Sequence, residues 1–221
     1  MTGLLRIPYS WLRSQVGALL FERRYRVHTS GKVMLDEFGL AGEDRVYYSP
    51  ANWRTLRRSL RRQEVTDSDV FVDLGSGLGR MVLEAARYPF RRVIGVELAK
   101  QLNDLARRNL DHTRLRLRCE QIELVQSDVL EYEIPDDVTV VFMNNPFRGP
   151  VFAAAIENLI ASVDRHPRPV RLIYGNPVEE AFLLGTGRFK RVRTVTQPRH
   201  KPGSPFGLIH VYLLTTATAV T

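Results

Sequence analysis

The sequence predicts an α/β fold built on a mostly parallel sheet. Between residues 70 and 174, short apolar runs alternate with segments of helical periodicity. Strands interleaved with helices imply βαβ units, which place successive strands parallel. The first run passes directly into a glycine-rich turn, Leu74-Gly75-Ser76-Gly77-Leu78-Gly79, and the next two are each followed closely by an acid.

Taken in order, Pro8-Tyr9-Ser10 reads as a helix start with Ser10 as N-cap, and Leu12, Val16, Leu19 and Leu20 recur on one face. Arg23, Arg24 and Arg26 follow, where cations suit the negative end of a helix dipole. A looser stretch with Gly31, Gly39 and Gly42 leads to Tyr47-Tyr48-Ser49-Pro50. Ser49 as N-cap with Pro50 at the first helical position predicts a second helix start. That helix places Trp53, Leu56 and Leu60 on one face, with Arg54, Arg57, Arg58, Arg61 and Arg62 largely elsewhere.

Strand-like runs follow at residues 70–72, 93–96, 122–125, 138–143 and 170–174, with helical segments at 80–87, 99–110 and 151–163. The tail breaks the alternation. Residues 191–196 and 208–215 are two strand-like runs joined by a Pro- and Gly-containing connection, as in an antiparallel pair.

The chain has 221 residues, 44% of them hydrophobic, enough for one well-packed domain with an extension. The division expected is a helical, basic segment over residues 1–62 and a main domain over 63–221. Residues 1–62 carry 12 Lys and Arg against 5 Asp and Glu, so most of the net charge of +8 lies there. Without a long apolar run or a secretory-type N-terminus, a cytoplasmic protein is expected. The single cysteine, Cys119, reads as a packed residue, and the five histidines show no ligand spacing, so no metal is expected.

The chemistry concentrates in Val72-Asp73-Leu74-Gly75-Ser76-Gly77-Leu78-Gly79. Glycines let the backbone turn sharply and approach a ligand closely. Dinucleotide sites use G-x-G-x-x-G to cradle a pyrophosphate. Here the spacing is G-x-G-x-G, preceded by Asp73. A carboxylate there repels a pyrophosphate but suits the cationic ammonium and sulfonium of S-adenosylmethionine (SAM). Val93-Ile94-Gly95-Val96-Glu97 ends in an acid placed to accept hydrogen bonds from ribose hydroxyls, and Val125-Gln126-Ser127-Asp128 offers a third acid for an adenine amino group.

These residues resemble the class I SAM-dependent methyltransferase superfamily, over roughly residues 65 to 215. The resemblance implies a Rossmann-like sheet of seven strands in the order 3-2-1-4-5-7-6, its last strand antiparallel. It also implies that Asp73, Gly75, Ser76, Gly77 and Gly79 hold the methionine part, Glu97 the ribose and Asp128 the adenine. Phe71-Val72-Asp73-Leu74-Gly75-Ser76-Gly77-Leu78-Gly79 with Gly95-Val96-Glu97 is most similar to the non-SET histone lysine methyltransferases and their bacterial relatives. Residues 1–62 have no counterpart apparent in the histone enzymes, and Pro146 intervenes before Phe147. Both departures argue against a nucleosomal acceptor.

Asn144-Asn145-Pro146-Phe147 follows the fourth strand-like run, and its Asn-Pro-aromatic portion resembles the Asn-Pro-Pro-aromatic motif of amino-group methyltransferases. In that motif an Asn oxygen and a backbone carbonyl accept the amine hydrogens, and the aromatic ring stacks on the acceptor. The four residues are therefore candidate catalytic residues, Asn144 also a cofactor-binding one, and Tyr47 and Tyr48 candidates for a lid or acceptor site. The same residues serve as a turn in the alternative reading. Transfer from a sulfonium requires chiefly alignment and a dry pocket. A protein, peptide or small-molecule amine is the favoured acceptor. A nucleic acid bound through the basic segment is the alternative, followed by a catalytically silent SAM-binding regulator.

Overall fold

The computed structural model describes residues 9–31, 50–197, 200–214 and 216. Seven strands form one sheet: β1 (Val70–Leu74), β2 (Arg92–Glu97), β3 (Gln121–Gln126), β4 (Val140–Met143), β5 (Val170–Gly175), β6 (Phe189–Thr196) and β7 (Leu208–Leu214). Their spatial order is β3-β2-β1-β4-β5-β7-β6, the order that the sequence resemblance implies. β1 to β5 pair in parallel, and β7 runs antiparallel between β5 and β6.

Strands β1 and β4 are buried throughout, as expected of parallel strands covered on both faces. One face carries α5 (Gly149–Arg165), whose Phe152, Ile156 and Leu159 pack with Val72, Val141 and Tyr174. The opposite face holds Phe71, Phe142 and Ile173 against α3 (Arg80–Ala85) and α2 (Thr55–Ser59). Leu56 and Leu60 belong to this second cluster, so the segment before the first strand shares the core of the main domain. Cys119 is buried there too, its thiol 3.2 Å from the Gln121 carbonyl.

The remaining α-helices among the described residues are α1 (Tyr9–Tyr25), α4 (Lys100–His112) and α6 (Glu180–Gly185), the last absent from the sequence expectation. Two helix starts differ from that expectation. Helix α1 already includes Ser10, which therefore is not its N-cap. Helix α2 begins at Thr55, leaving Pro50 outside it: residues 50–52 are in neither helix nor strand, and Ala51 is buried. Tyr47, Tyr48, Ser49, Gly39 and Gly42 lie outside the described residues.

The buried side of α1 also departs from its apolar stripe. Val16, Leu19 and Leu20 are exposed, the last two by 58% and 62%, whereas Glu22 is 4% exposed. Phe21 and Tyr25 pack with Trp53 near Val27 and Leu83. Glu22 instead faces the body of the protein, ion-paired with Arg80 at 2.7 Å. No helix among the described residues is long and apolar enough to cross a membrane.

Candidate functional site

In open α/β sheets the carboxyl ends of the parallel strands leave a crevice where ligands bind. Here the ends of β1, β2 and β4 and the segment after β3 open onto a cleft of about 900 Å³, counting its open mouth. Asp73, Gly75, Ser76, Glu97, Asp128, Asn144, Asn145, Pro146 and Phe147 all line it. The structure thus gathers residues that the sequence spreads over more than seventy positions.

The glycine turn takes its shape from left-handed φ angles at Gly75 (81°), Gly77 (54°) and Gly79 (79°), a region that side chains disfavour. The Gly75 and Ser76 amides both donate to the Val96 carbonyl, at 2.9 and 3.0 Å. The Gly77 amide donates to Glu97 Oε2 at 2.8 Å, which ties the turn to the end of β2. Close neighbours impose a second constraint. A Cβ on Gly75 would stand 2.5 Å from the Cβ of Pro146, and one on Gly79 would stand 3.1 Å from the Cβ of Ala106 in α4. Pro146 is therefore seated on the glycine turn. Ser76 Oγ is buried without a hydrogen-bond partner.

The cleft is acidic. Burial, reinforced by the charge of Glu97, pushes the Asp73 carboxyl well above the usual carboxylate range. Burial also raises Glu97, although amides of Ala99, Gly77 and Leu98 counteract it by donating to the carboxylate. Two buried acids facing one space disfavour an anionic ligand there and favour a cation, or hydroxyls that can donate to them. Asp128 lines the cleft together with its chain neighbours Ser127 and Val129, and its Oδ1 accepts from the Leu130 amide at 3.1 Å. That bond caps a turn, so Asp128 combines a local structural role with its position in the lining.

Beyond β4 the chain enters the Asn-Asn-Pro-Phe turn, where Asn145 adopts a left-handed φ of 52°. Asn145 is 5% exposed, and its Oδ1 is buried without a hydrogen-bond partner. An unmatched buried acceptor costs free energy unless a ligand completes it. Asn144 behaves differently, its Oδ1 accepting from Asn176 Nδ2 at 3.1 Å. Phe147 reaches the cleft but is also packed into the α5-side core, which restricts its ring to one presented edge or face.

Sequence reasoning missed part of the lining. Pro50 and Ala51 form a wall, and Arg80, the first residue of α3, also borders the cleft. A charged residue between Gly79 and the apolar run Met81-Val82-Leu83 was the available signal, since a buried arginine demands partners. Leu98, Leu102 and Val129 add apolar side chains to the lining.

Comparison with known proteins places this arrangement. The family model for histone methylation protein DOT1 matches residues 41–172. The match begins within the N-terminal stretch for which the sequence offered no counterpart. A histone-lysine N-methyltransferase specific for H3 lysine-79 from Dictyostelium discoideum is 30% identical over 173 residues, covering 73% of this chain and 8% of that protein. A probable ribosomal RNA small subunit methyltransferase A from Methanopyrus kandleri is 33% identical over 87 residues, covering 38% of this chain and 28% of the relative. The chain therefore spans only a small part of the length of either. Among solved structures, an RNA methyltransferase from Salinibacter ruber in complex with S-adenosyl-L-homocysteine aligns with a TM-score of 0.51 and 24% identity, over 78% of this chain and 97% of that one. The strand order, the glycine turn and the matched residues together show that this chain belongs to the DOT1 histone methylation protein family, within the class I SAM-dependent methyltransferases.

Proposed function

We propose that this chain is a SAM-dependent methyltransferase that modifies an amino nitrogen of a protein, peptide or small-molecule acceptor. The observation that carries the acceptor chemistry is Asn145, whose buried Oδ1 lacks a partner while the next residue, Pro146, rests on the glycine turn. That contact supports an acceptor site beside the cofactor loop.

The lining fits the cofactor on its own chemistry. Asp73 would pair with the ammonium of the methionine part, Glu97 would accept from the ribose hydroxyls, and Asp128 from the adenine amine. Gly75, which lines the cleft, keeps the turn free of a side chain there. Bound SAM supplies a methyl group on a sulfonium, open to in-line attack. The chain's contribution is then positional. Asn145 Oδ1 accepts a hydrogen of the incoming amine and orients its lone pair, and Phe147 limits water and flanks the acceptor. A lysine-like amine must shed a proton first, since its reference pKa lies about three units above neutrality.

A nucleic-acid acceptor is the second reading, favoured by the exposed Arg57, Arg58, Arg61 and Arg62 on and beside α2. Calorimetric titration with SAM, S-adenosylhomocysteine and NAD, using the unaltered chain, Asp73→Ala and Glu97→Ala, tests the cofactor. SAM binding that both substitutions abolish, with NAD inert, supports the reading; NAD binding without SAM binding sinks it. Transfer of labelled methyl from SAM to amine-bearing peptides, against structured RNA, then separates the acceptors. Labelling of RNA alone would replace the amino-group assignment.

A further inference from the structure

Glu22 lies outside the cleft lining, yet it is more deeply buried than most carboxylates and carries a dense set of partners. Its Oε1 accepts from Thr29 Oγ1 and Ser30 Oγ, both at 2.8 Å, and from Trp53 Nε1 at 3.3 Å. Its Oε2 accepts from the Thr29 and Ser30 amides, both at 3.3 Å. Arg80 Nη2 donates to Glu22 Oε1 at 2.7 Å, forming a buried ion pair.

Arg80 faces the cofactor cleft as well as Glu22. Its Nη1 donates to the Ala51 carbonyl at 2.8 Å, its Nε to Thr29 Oγ1 at 2.8 Å, and its guanidinium lies 5.0 Å from the centre of the Trp53 ring. Ala51 belongs to the cleft wall, and residues 50–52 are in neither helix nor strand, so no regular backbone ladder fixes them. The wall is thus held by an arginine that is ion-paired with an acid on a different helix.

We propose that Glu22 is a positioning residue for the cofactor site, acting through Arg80 to hold the Pro50–Ala51 wall and to keep that cation committed away from the cleft acids. The proposal rests on the SAM reading of the cleft. With Glu22 neutralised, the charge-assisted bond that orients the Arg80 guanidinium is lost, while Arg80 still borders a space that presents Asp73 and Glu97. Attraction to those acids then competes with the ammonium of the ligand, and the Ala51 carbonyl loses its anchor. Helix α1 is by this account a working part of the site.

The test is a double-mutant cycle read by calorimetric binding of S-adenosylhomocysteine to the full chain. Glu22→Gln and Arg80→Gln each weaken binding by about tenfold, and the double variant is no weaker than the poorer single one, because one residue acts through the other. Val163→Ala, a core truncation outside the cleft, lowers the melting temperature without moving the affinity. Amide exchange in the ligand-free chain supplies a second readout: Glu22→Gln speeds exchange at residues 51–53 and leaves β1 and β4 protected. If Glu22→Gln does not fold, Thr29→Val, which removes one link to each partner, gives a smaller change in the same two readouts. Unchanged affinity in a folded Glu22→Gln variant, or losses that multiply in the double variant, would overturn the proposal. If the unaltered chain fails to bind S-adenosylhomocysteine, the SAM reading falls, and exchange at residues 51–53 alone decides whether Glu22 holds that wall.

Discussion

Asn176 donates its side-chain amide to Asn144 Oδ1 at 3.1 Å, joining the turns that follow β5 and β4. The two turns share a design. Asn145 and Asn176 both adopt left-handed φ angles, 52° and 51°, and each precedes a proline. Asparagine tolerates that region, and the following proline restricts the backbone before it. Asn176 Oδ1 also accepts from the Gly207 amide at 2.9 Å, so one side chain links β4, β5 and the approach to β7.

Replacing Asn176 with glycine preserves access to the left-handed backbone while removing both side-chain bonds. The expected loss is roughly 1–3 kcal/mol of stability, at about 0.5–1.5 per hydrogen bond. Thermal melts should show a drop of several degrees. Binding of S-adenosylhomocysteine should persist, because Asn176 is not part of the cleft lining. Loss of binding at full stability would show that the turn after β5 reaches the cofactor.

Asn145→Gly isolates the side-chain oxygen from the backbone strain that Asn145→Ala would add. For an amine acceptor that the unaltered chain methylates, kcat should fall by about a hundredfold, in the range seen when one preorganised polar contact is removed. SAM affinity should stay within about twofold, since the contact is made to the acceptor. An unchanged kcat would leave the Asn-Pro-Phe segment as a turn and nothing more.

Gly75→Ala meets two obstacles together, the positive φ and the Cβ of Pro146 at 2.5 Å. Relief requires the glycine turn and the Asn-Pro turn to separate. The variant should lose about 1–3 kcal/mol of stability and bind S-adenosylhomocysteine at least about tenfold more weakly. Differential scanning calorimetry and titration would check both. A variant that binds normally would show that the two turns can part without consequence.

Asp73 gives the site a pH signature. Its folded pKa is raised above the ordinary 3.8, by burial first and then by the Glu97 charge. Folding therefore favours the neutral form more than an exposed carboxyl would. This contribution to stability is fully present below the unfolded pKa and is lost as pH rises through the folded one. An ammonium beside Asp73 lowers that pKa, so binding at a pH between the ligand-bound and ligand-free values releases a proton. Affinity for S-adenosylhomocysteine should fall as pH is lowered through that window, and titrations in buffers of different ionisation enthalpy should detect the release. Asp73→Asn should bind weakly and without proton release; an unaltered proton count would remove Asp73 from the ammonium contact.

The glycine spacing and the acids at the ends of successive strands were legible because they are local. A run of buried β residues, a turn needing positive φ and an acid at the strand end occur within a few positions, and the parallel arrangement then brings the ends together. The rotation of α1 was not legible in the same way. Its stripe of Val16, Leu19 and Leu20 satisfied helical periodicity, but periodicity specifies only that a face is apolar and not what it meets. The buried bonds of Glu22 instead turn Phe21, Glu22 and Tyr25 toward the body. Pro50 illustrates a related failure, since a good helix-start residue was drawn out of the helix into the cleft wall.

The sequence by itself determined the α/β class, the resemblance that carried the strand order, and the glycine turn and strand-end acids that line part of the cleft. Tertiary structure alone decided the pairings Gly75 with Pro146, Arg80 with Glu22 and Asn144 with Asn176. Each joins residues at least thirty positions apart in the chain. Dihedral preference and hydrophobic period act over a few residues, whereas the partner of a buried charge, an amide or a proline ring is set by which surfaces the packed sheet brings into contact.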